Sequence, residues 1–166
     1  MVFRVAGRYA NADGSLGYYG LFISTANQPN GGATTANLVA LDDNSAVMAN
    51  GITNAAGVLT FANAGLYQVV TELSYTSTVG ANPNISTWLS QNEANIANTT
   101  QDFQLLGGAN AVQLSSCTWI VNAAAGDRLR VYWASSDTRV SLAYQAALAN
   151  PTRPASPSAI VVITQV

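Results

Sequence analysis

The sequence contains no histidine and no lysine, and charged residues make up only 8% of its 166 positions. All six basic residues are arginine, and the formal net charge is −2. A nucleic-acid site needs clustered cations that neutralise phosphates. The arginines form no basic stripe, so we expect no nucleic-acid partner; they are Arg4, Arg8, Arg128, Arg130, Arg139 and Arg153.

The missing histidine and lysine also remove the usual bases of nucleophilic catalysis. Among the eight acidic residues only Asp42 and Asp43 are adjacent, and their surroundings read as a turn with side chain-to-backbone hydrogen bonds. The alternative, a weak calcium site, needs more oxygen ligands than the sequence supplies there. We therefore expect a protein that is not an enzyme and that binds no metal and no cofactor.

Cysteine and long apolar runs are scarce as well. The single cysteine, Cys117, has no partner for an intrachain disulfide, and its alternating apolar surroundings predict a small buried core residue. No stretch approaches the length that a membrane-spanning helix needs. No apolar segment follows Arg4 and Arg8 as in a secretory signal, so we expect synthesis in a cytoplasm.

The polarity of the chain comes from Asn, Gln, Ser and Thr, while hydrophobic residues make up 49%. A neutral polar surface repels other copies weakly, and its amides and hydroxyls can hydrogen-bond across contacts without the cost of desolvating ions. This composition favours a subunit that packs in an assembly. A salt-tolerant secreted β-protein is the alternative.

Short segments with a period of two recur between turn signals, and no window has a capped helical period. The clearest is residues 66–75, where Tyr67, Val69 and Leu73 share one face. The other predicted strands are residues 37–41, 57–61, 85–90, 112–120, 128–133, 140–147 and 158–166, with a hairpin-like turn at 125–127. Many short strands predict an all-β sandwich or jelly roll.

The first 32 residues differ from the rest, since they are rich in Gly and Tyr and end in a strong turn signal at 27–32. We interpret residues 1–32 as an extended arm and residues 33–166 as the jelly-roll domain. The alternative is an extra hairpin packed on its own domain. The arm residues expected to dock on a larger protein surface are Phe3, Arg4, Arg8, Tyr18, Tyr19 and Phe22.

Aromatic residues on the predicted strands are expected to pack in the core or on a sheet face, including a trimer contact. They are Tyr67, Tyr75, Trp88, Trp119 and Trp133. A sugar-binding platform would need an exposed Trp beside polar groups. Glu72, in the middle of a strand, is expected to face outward and to meet one of Arg128, Arg130 or Arg139, or to pair between subunits.

The order of the elements over residues 57–166 resembles the C1q/TNF-like jelly roll, and in particular the version found in small virion proteins of tailed bacteriophages. The resemblance rests on 59-LTFANAGLY-67, 86-STWL-89 followed by 91-QN-92 and 96-IANT-99, 125-AGD-127 before the strand that ends at Trp133, and 157-PSAI-160 through 164-TQV-166. Residues 1–32 have no counterpart in this pattern.

The resemblance implies a homotrimer located in the virion. The expected function is that of a capsid decoration, or cement, protein that bridges subunits of the major capsid protein. The alternative is the receptor-binding tip of a head or tail fibre that recognises a host glycan or protein; the short chain favours the cement role. A polysaccharide depolymerase is disfavoured because acid–base residues are few.

Overall fold

The computed structural model describes residues 3–5, 8–10, 17–78, 80 and 82–166. The described part of the chain consists of strands and connecting turns, without helices, so the all-β prediction is confirmed. The strands are β1 (Phe3–Val5), β2 (Arg8–Ala10), β3 (Tyr19–Ser24), β4 (Gln28–Pro29), β5 (Asn37–Leu38), β6 (Asp43–Asn50), β7 (Ile52–Ala55), β8 (Val58–Phe61), β9 (Gly65–Ser77), β10 (Asn84–Gln91), β11 (Ala94–Asn95), β12 (Gln101–Gln104), β13 (Val112–Ala123), β14 (Arg128–Ser135), β15 (Val140–Leu142), β16 (Leu148–Ala149), β17 (Thr152–Arg153) and β18 (Ala159–Gln165).

Most of these strands form two antiparallel sheets, here called sheet I and sheet II. In sheet I, the long strand β9 pairs with three strands: β13, β18 and β15. Beyond β18 the sheet continues through β3 to β6, and β4 pairs with β15. In sheet II, β10 lies between β14 and the short strands β11 and β12, and β14 pairs with β8 and β5, with β7 beyond β8. The hairpins β1–β2 and β16–β17 stand outside both sheets.

The core lies between the two sheets because every long strand turns one of its two faces inward. On β9 the inward side chains include Tyr67 and Tyr75, both buried, as the sequence period predicts. Tyr75 meets the Trp133 ring of sheet II edge-on, with centroids 5.6 Å apart. Its hydroxyl hydrogen-bonds Thr87 Oγ1 of sheet II at 2.8 Å, and burial raises the pKa of Tyr75. Polar and aromatic contacts therefore join the two layers.

A two-residue turn connects β7 to β8, and its backbone conformation explains why residue 57 is a glycine. Ala56 and Gly57 both have positive φ angles, 51° and 92°, as a tight hairpin turn requires. A Cβ at Gly57 would stand 2.2 Å from the Val39 carbonyl oxygen. Only glycine fits this position, so the hairpin brings sheet II against the chain that precedes β6.

The turn after β13 differs from its sequence-based prediction as a hairpin. It is tight, since the Asp127 amide donates to the Ala124 carbonyl at 3.1 Å. However, β13 pairs with β9 in sheet I, while β14 pairs with β10 and β8 in sheet II. The turn therefore passes the chain from one sheet to the other, because a sandwich with this strand order pairs distant strands rather than neighbours in sequence.

The sandwich also begins earlier than the expected boundary at residue 33. Strand β3 pairs with β18 and β6, and β4 pairs with β15. Phe22 of β3 is 1% exposed and belongs to the core. The interpretation of residues 1–32 as one extended arm is corrected accordingly: residues 19–29 are part of sheet I, since β18 needs a partner on its second edge.

Candidate functional site

The outward face of sheet I is the candidate site, and its register sets apolar side chains in a row across five strands. Val70 of β9 lies opposite Val162 of β18, which lies opposite Leu21 of β3, which in turn lies opposite Met48 of β6. On the other side of Val70 the row reaches Thr118 of β13. Antiparallel neighbours on one face are close enough to form a continuous surface.

Apolar side chains extend beyond this row toward the edge strand β13. Leu114 and Ile120 of β13 are each 59% exposed, and Met48 at the opposite end of the row is 62% exposed. Leu66 of β9 and Val112 of β13 are exposed as well. We call the outward side chains of β6, β3, β18, β9 and β13 the apolar face. Monomeric proteins rarely leave so many large apolar groups together in water, so the face indicates a contact surface.

Charge is sparse on the apolar face. One row carries Glu72, opposite Ser116 and Ile160, and ends at Asp43. No arginine meets Glu72 within the described residues. Arg128 and Arg130 approach Glu93 at 3.6 and 3.4 Å. The face therefore offers little long-range electrostatic repulsion or steering to a partner of the same composition.

The prediction that Glu72 meets Arg128, Arg130 or Arg139 is wrong within one chain, since these arginines pair elsewhere. Arg128 and Arg130 belong to sheet II. Arg139 binds Asp137 at 2.6 Å, and hydrogen bonds from Arg139 lower the pKa of Asp137 to about 2. The sequence could not place Glu72 on one layer and Arg128 and Arg130 on the other, because strand alternation gives the face of a residue but not the sheet.

Of the residues predicted to dock, three lie in the region where side chains are described. Tyr18 packs against the core, Tyr19 is part of the apolar face opposite Thr164, and Phe22 is buried. The prediction that Phe22 docks on a partner is therefore wrong, because its ring faces the other sheet. Phe3, Arg4 and Arg8 belong to β1 and β2, and their side chains lie outside the described part of the structure.

Four of the five aromatic residues considered for a trimer contact lie inside the sandwich. They are Tyr67, Tyr75, Trp119 and Trp133, which are all buried. Core packing, the other interpretation considered for them, is what the structure shows. Trp88 differs: it is partly exposed on the outer face of sheet II, where its ring stacks on Tyr132 with centroids 5.8 Å apart.

The apolar face was not predicted from the sequence, although the sequence of β13 contains a signal for it. In β13, Cys117, Trp119 and Val121 point inward, while Leu114 and Ile120 occupy the opposite phase of the strand. A strand with apolar residues in both phases has two covered sides. Cys117 itself is buried and its thiol is free, which confirms the prediction of a small core residue.

The described ranges contain neither a metal-ligand cluster nor a helix suited to a membrane. No three side chains of the His, Cys, Asp and Glu types converge there to form a ligand set. Among the same residues, no helix has the length and apolarity needed to cross a bilayer.

Comparison with known proteins places the fold in a class. The chain is similar to the crystal structure of murine APRIL, a TNF family member, with a TM-score of 0.56 over 90% of this chain and 98% of that one. The two layers and their strand order are thus a TNF-like jelly roll. The sequences are only 8% identical, so the likeness concerns the fold alone.

Sequence-level comparisons give no closer assignment. No family model matches the chain, and no curated protein matches it.

Proposed function

We propose that this protein is a non-enzymatic structural subunit that assembles as a homotrimer and serves as a decoration protein on the capsid of a tailed phage. The apolar face of sheet I is the observation that carries the self-association. Covering its exposed Leu, Ile and Met side chains would remove apolar surface from water, which stabilises a contact by about 25 cal/mol for each Å².

The geometry favours a ring of copies over an isologous pair. Strand β13 is an edge strand that pairs only with β9 among the described strands, and it carries Leu114 and Ile120. The edge at β13 and the row from Val70 to Met48 occupy different positions on the apolar face of one molecule. An edge that packs on the neighbour's face makes a heterologous contact, which closes into a ring when the rotation permits. The smallest such ring is a trimer.

Attachment to a shell is supported by composition and by the N-terminal segment. A surface with 8% charged residues suits dense packing between subunits. The hairpin of β1 and β2 pairs with no other strand among the described residues, so this hairpin is not part of the sandwich. It can reach a neighbouring capsid subunit, where a standard interface of about 800 Å² per partner gives specific binding. Three such segments in one trimer bind the shell more strongly than a single segment does, through avidity.

Sizing chromatography with light scattering tests the self-association directly. The full chain is expected to elute with the mass of three copies at micromolar concentration, because the apolar face is uncovered in a monomer. A monomeric mass at every concentration would show that this face does not join copies.

Quantitative proteomics of purified virions tests the location. A copy number that matches the lattice positions of the shell supports the decoration role. A copy number that matches the fibres supports the receptor-binding tip, the second candidate, which the partly exposed Trp88 on sheet II favours. Absence from virions would contradict both.

A further inference from the structure

The outer face of sheet II contains a groove that the apolar face does not involve. The groove has a volume of about 520 Å³ and lies over β10 and the end of β14, between the chain near Thr34 and the segment 95–100. A second depression continues it past Ser86 to Asp102 and Gln104. Volumes of this size are typical of sites for small ligands. Because the groove is on the opposite layer from the apolar face, assembly through sheet I leaves it open.

Trp88 forms a wall of this groove, and two contacts hold its ring in place. Tyr132 stacks nearly parallel to it, with an interplanar angle of 18°, and Tyr132 itself does not line the groove. The indole Nε1–H donates to Asn95 Oδ1 at 3.0 Å. The ring is thus backed on one side and oriented by a hydrogen bond, so that it presents an aromatic surface to the groove.

Polar groups line the groove and the depression that continues it. Ser86 Oγ donates to Asp102 Oδ1 at 2.5 Å, which leaves Asp102 Oδ2 as an acceptor without a partner among the described residues. Asn95 accepts the bond from the indole and keeps its amide N–H groups for a ligand. The Asn84 side chain also lines both depressions. Acceptors and donors are therefore spread along the groove beside an apolar ring.

We infer that this groove binds a neutral carbohydrate, with one sugar ring stacked on Trp88 and hydroxyls bound by Asp102, Asn84 and Asn95. A pyranose has C–H groups on one side and hydroxyls around its edge, which matches an aromatic surface bordered by amides and a carboxylate. The chemistry disfavours other occupants. No cation lines the groove, so phosphate-bearing ligands lack a counter-charge. A proline-rich peptide whose carbonyl groups would accept from the indole N–H finds this donor already bound to Asn95.

The probe is a panel of short linear oligosaccharides of glucose, mannose, galactose and N-acetylglucosamine, titrated into the full chain by calorimetry. Binding of at least one of them is expected, together with a shift of the Trp88 indole N–H signal in the NMR spectrum. Trp119 and Trp133 are buried, and their signals should stay unchanged.

Three variants tie the binding to the groove. Trp88→Ala should weaken it about tenfold or more through loss of the stacked surface. Trp88→Phe, which keeps an aromatic ring, should weaken it less. Asp102→Asn keeps the shape and should weaken binding about threefold to tenfold through the lost charged acceptor. Thr53→Ala, at an exposed position of β7 outside the groove, is the control and should bind as the unchanged protein does.

The inference is overturned if no sugar of the panel binds, or if binding is equal in Trp88→Ala and the unchanged protein. It is also overturned if oligoproline shifts the Trp88 signal while the sugars do not. Circular dichroism checks that each variant is folded; should Trp88→Ala not fold, Trp88→Phe and Asp102→Asn decide the question. The test requires only a folded chain, so its result is independent of the trimer and capsid proposals.

Discussion

At the scale of single residues, Asp127 joins two turns at one end of the sandwich. Its carboxylate accepts hydrogen bonds from Asn92 Nδ2 at 2.7 Å, Gln91 Nε2 at 2.6 Å and the Ala124 amide at 2.8 Å. These bonds, that from Asn92 foremost, lower the pKa of Asp127 although the group is exposed to solvent. One carboxylate thus fixes the turn that passes from sheet I to sheet II against the turn after β10.

The variant Asp127→Asn should be less stable than the unchanged protein at neutral pH, because an amide cannot accept all three bonds. The folded pKa is depressed, so the contribution of Asp127 is present above its unfolded pKa and is lost as pH falls through the folded value. The stability difference between the two proteins should therefore shrink as pH falls through the ordinary pKa of an aspartate and on through the lower folded value. Urea unfolding across this range measures it.

The control for this titration is Asp42→Asn, which removes the same charge in the exposed loop before β6. A stability difference for Asp127→Asn that stays constant over the whole range would show that the carboxylate charge is not what matters.

At the scale of elements, β13 shows how one strand serves two surfaces. Its inward phase carries Trp119, whose Nε1 donates to the Thr99 carbonyl at 2.9 Å and so binds sheet I to the loop before β12. Its outward phase carries Leu114 and Ile120, which contribute to no core of the single chain. An edge strand with exposed apolar residues promotes association with other chains, which is unfavourable for a monomer and is what a subunit of an assembly requires.

The variant Ile120→Arg should convert the proposed trimer to a monomer, since a guanidinium would be buried without a partner in the contact. The fold should survive, because Ile120 is 59% exposed in the single chain. Light scattering reports the mass, and circular dichroism reports the fold.

Thr53→Arg is the matched control for this variant, because it adds the same side chain at an exposed position of sheet II. It should remain trimeric. A trimeric Ile120→Arg protein would place the contact between copies elsewhere than on β13.

At the scale of the whole molecule, strand pairing and not composition marks where the sandwich begins among the described residues. Gly- and Tyr-rich sequence continues through residue 20, yet β3 begins at Tyr19 and is paired on both edges. The segment that we propose to dock on a shell therefore ends before β3 and is shorter than the 32 residues that composition indicates.

Deletion of residues 1–16 should leave a folded trimer that no longer binds shells lacking the protein, measured by co-sedimentation. The physical reason is that the described strands of this segment, β1 and β2, pair only with each other and belong to neither sheet. A deletion that extends through residue 29 is the contrasting case: it removes Phe22 from the core and should abolish folding. Undiminished shell binding after the shorter deletion would mean that another surface docks.

The sequence by itself determined the fold class and the inward face of the long strands, because alternation of apolar side chains is a local property that follows from strand geometry. It placed Tyr67, Tyr75 and Cys117 on strands, and the pattern over 57–166 indicated a TNF-like jelly roll. The tertiary structure decided which strands pair, that β3 closes sheet I, and that Leu114, Ile120 and Met48 share one surface. These depend on contacts between residues far apart in the chain, which a local period does not contain.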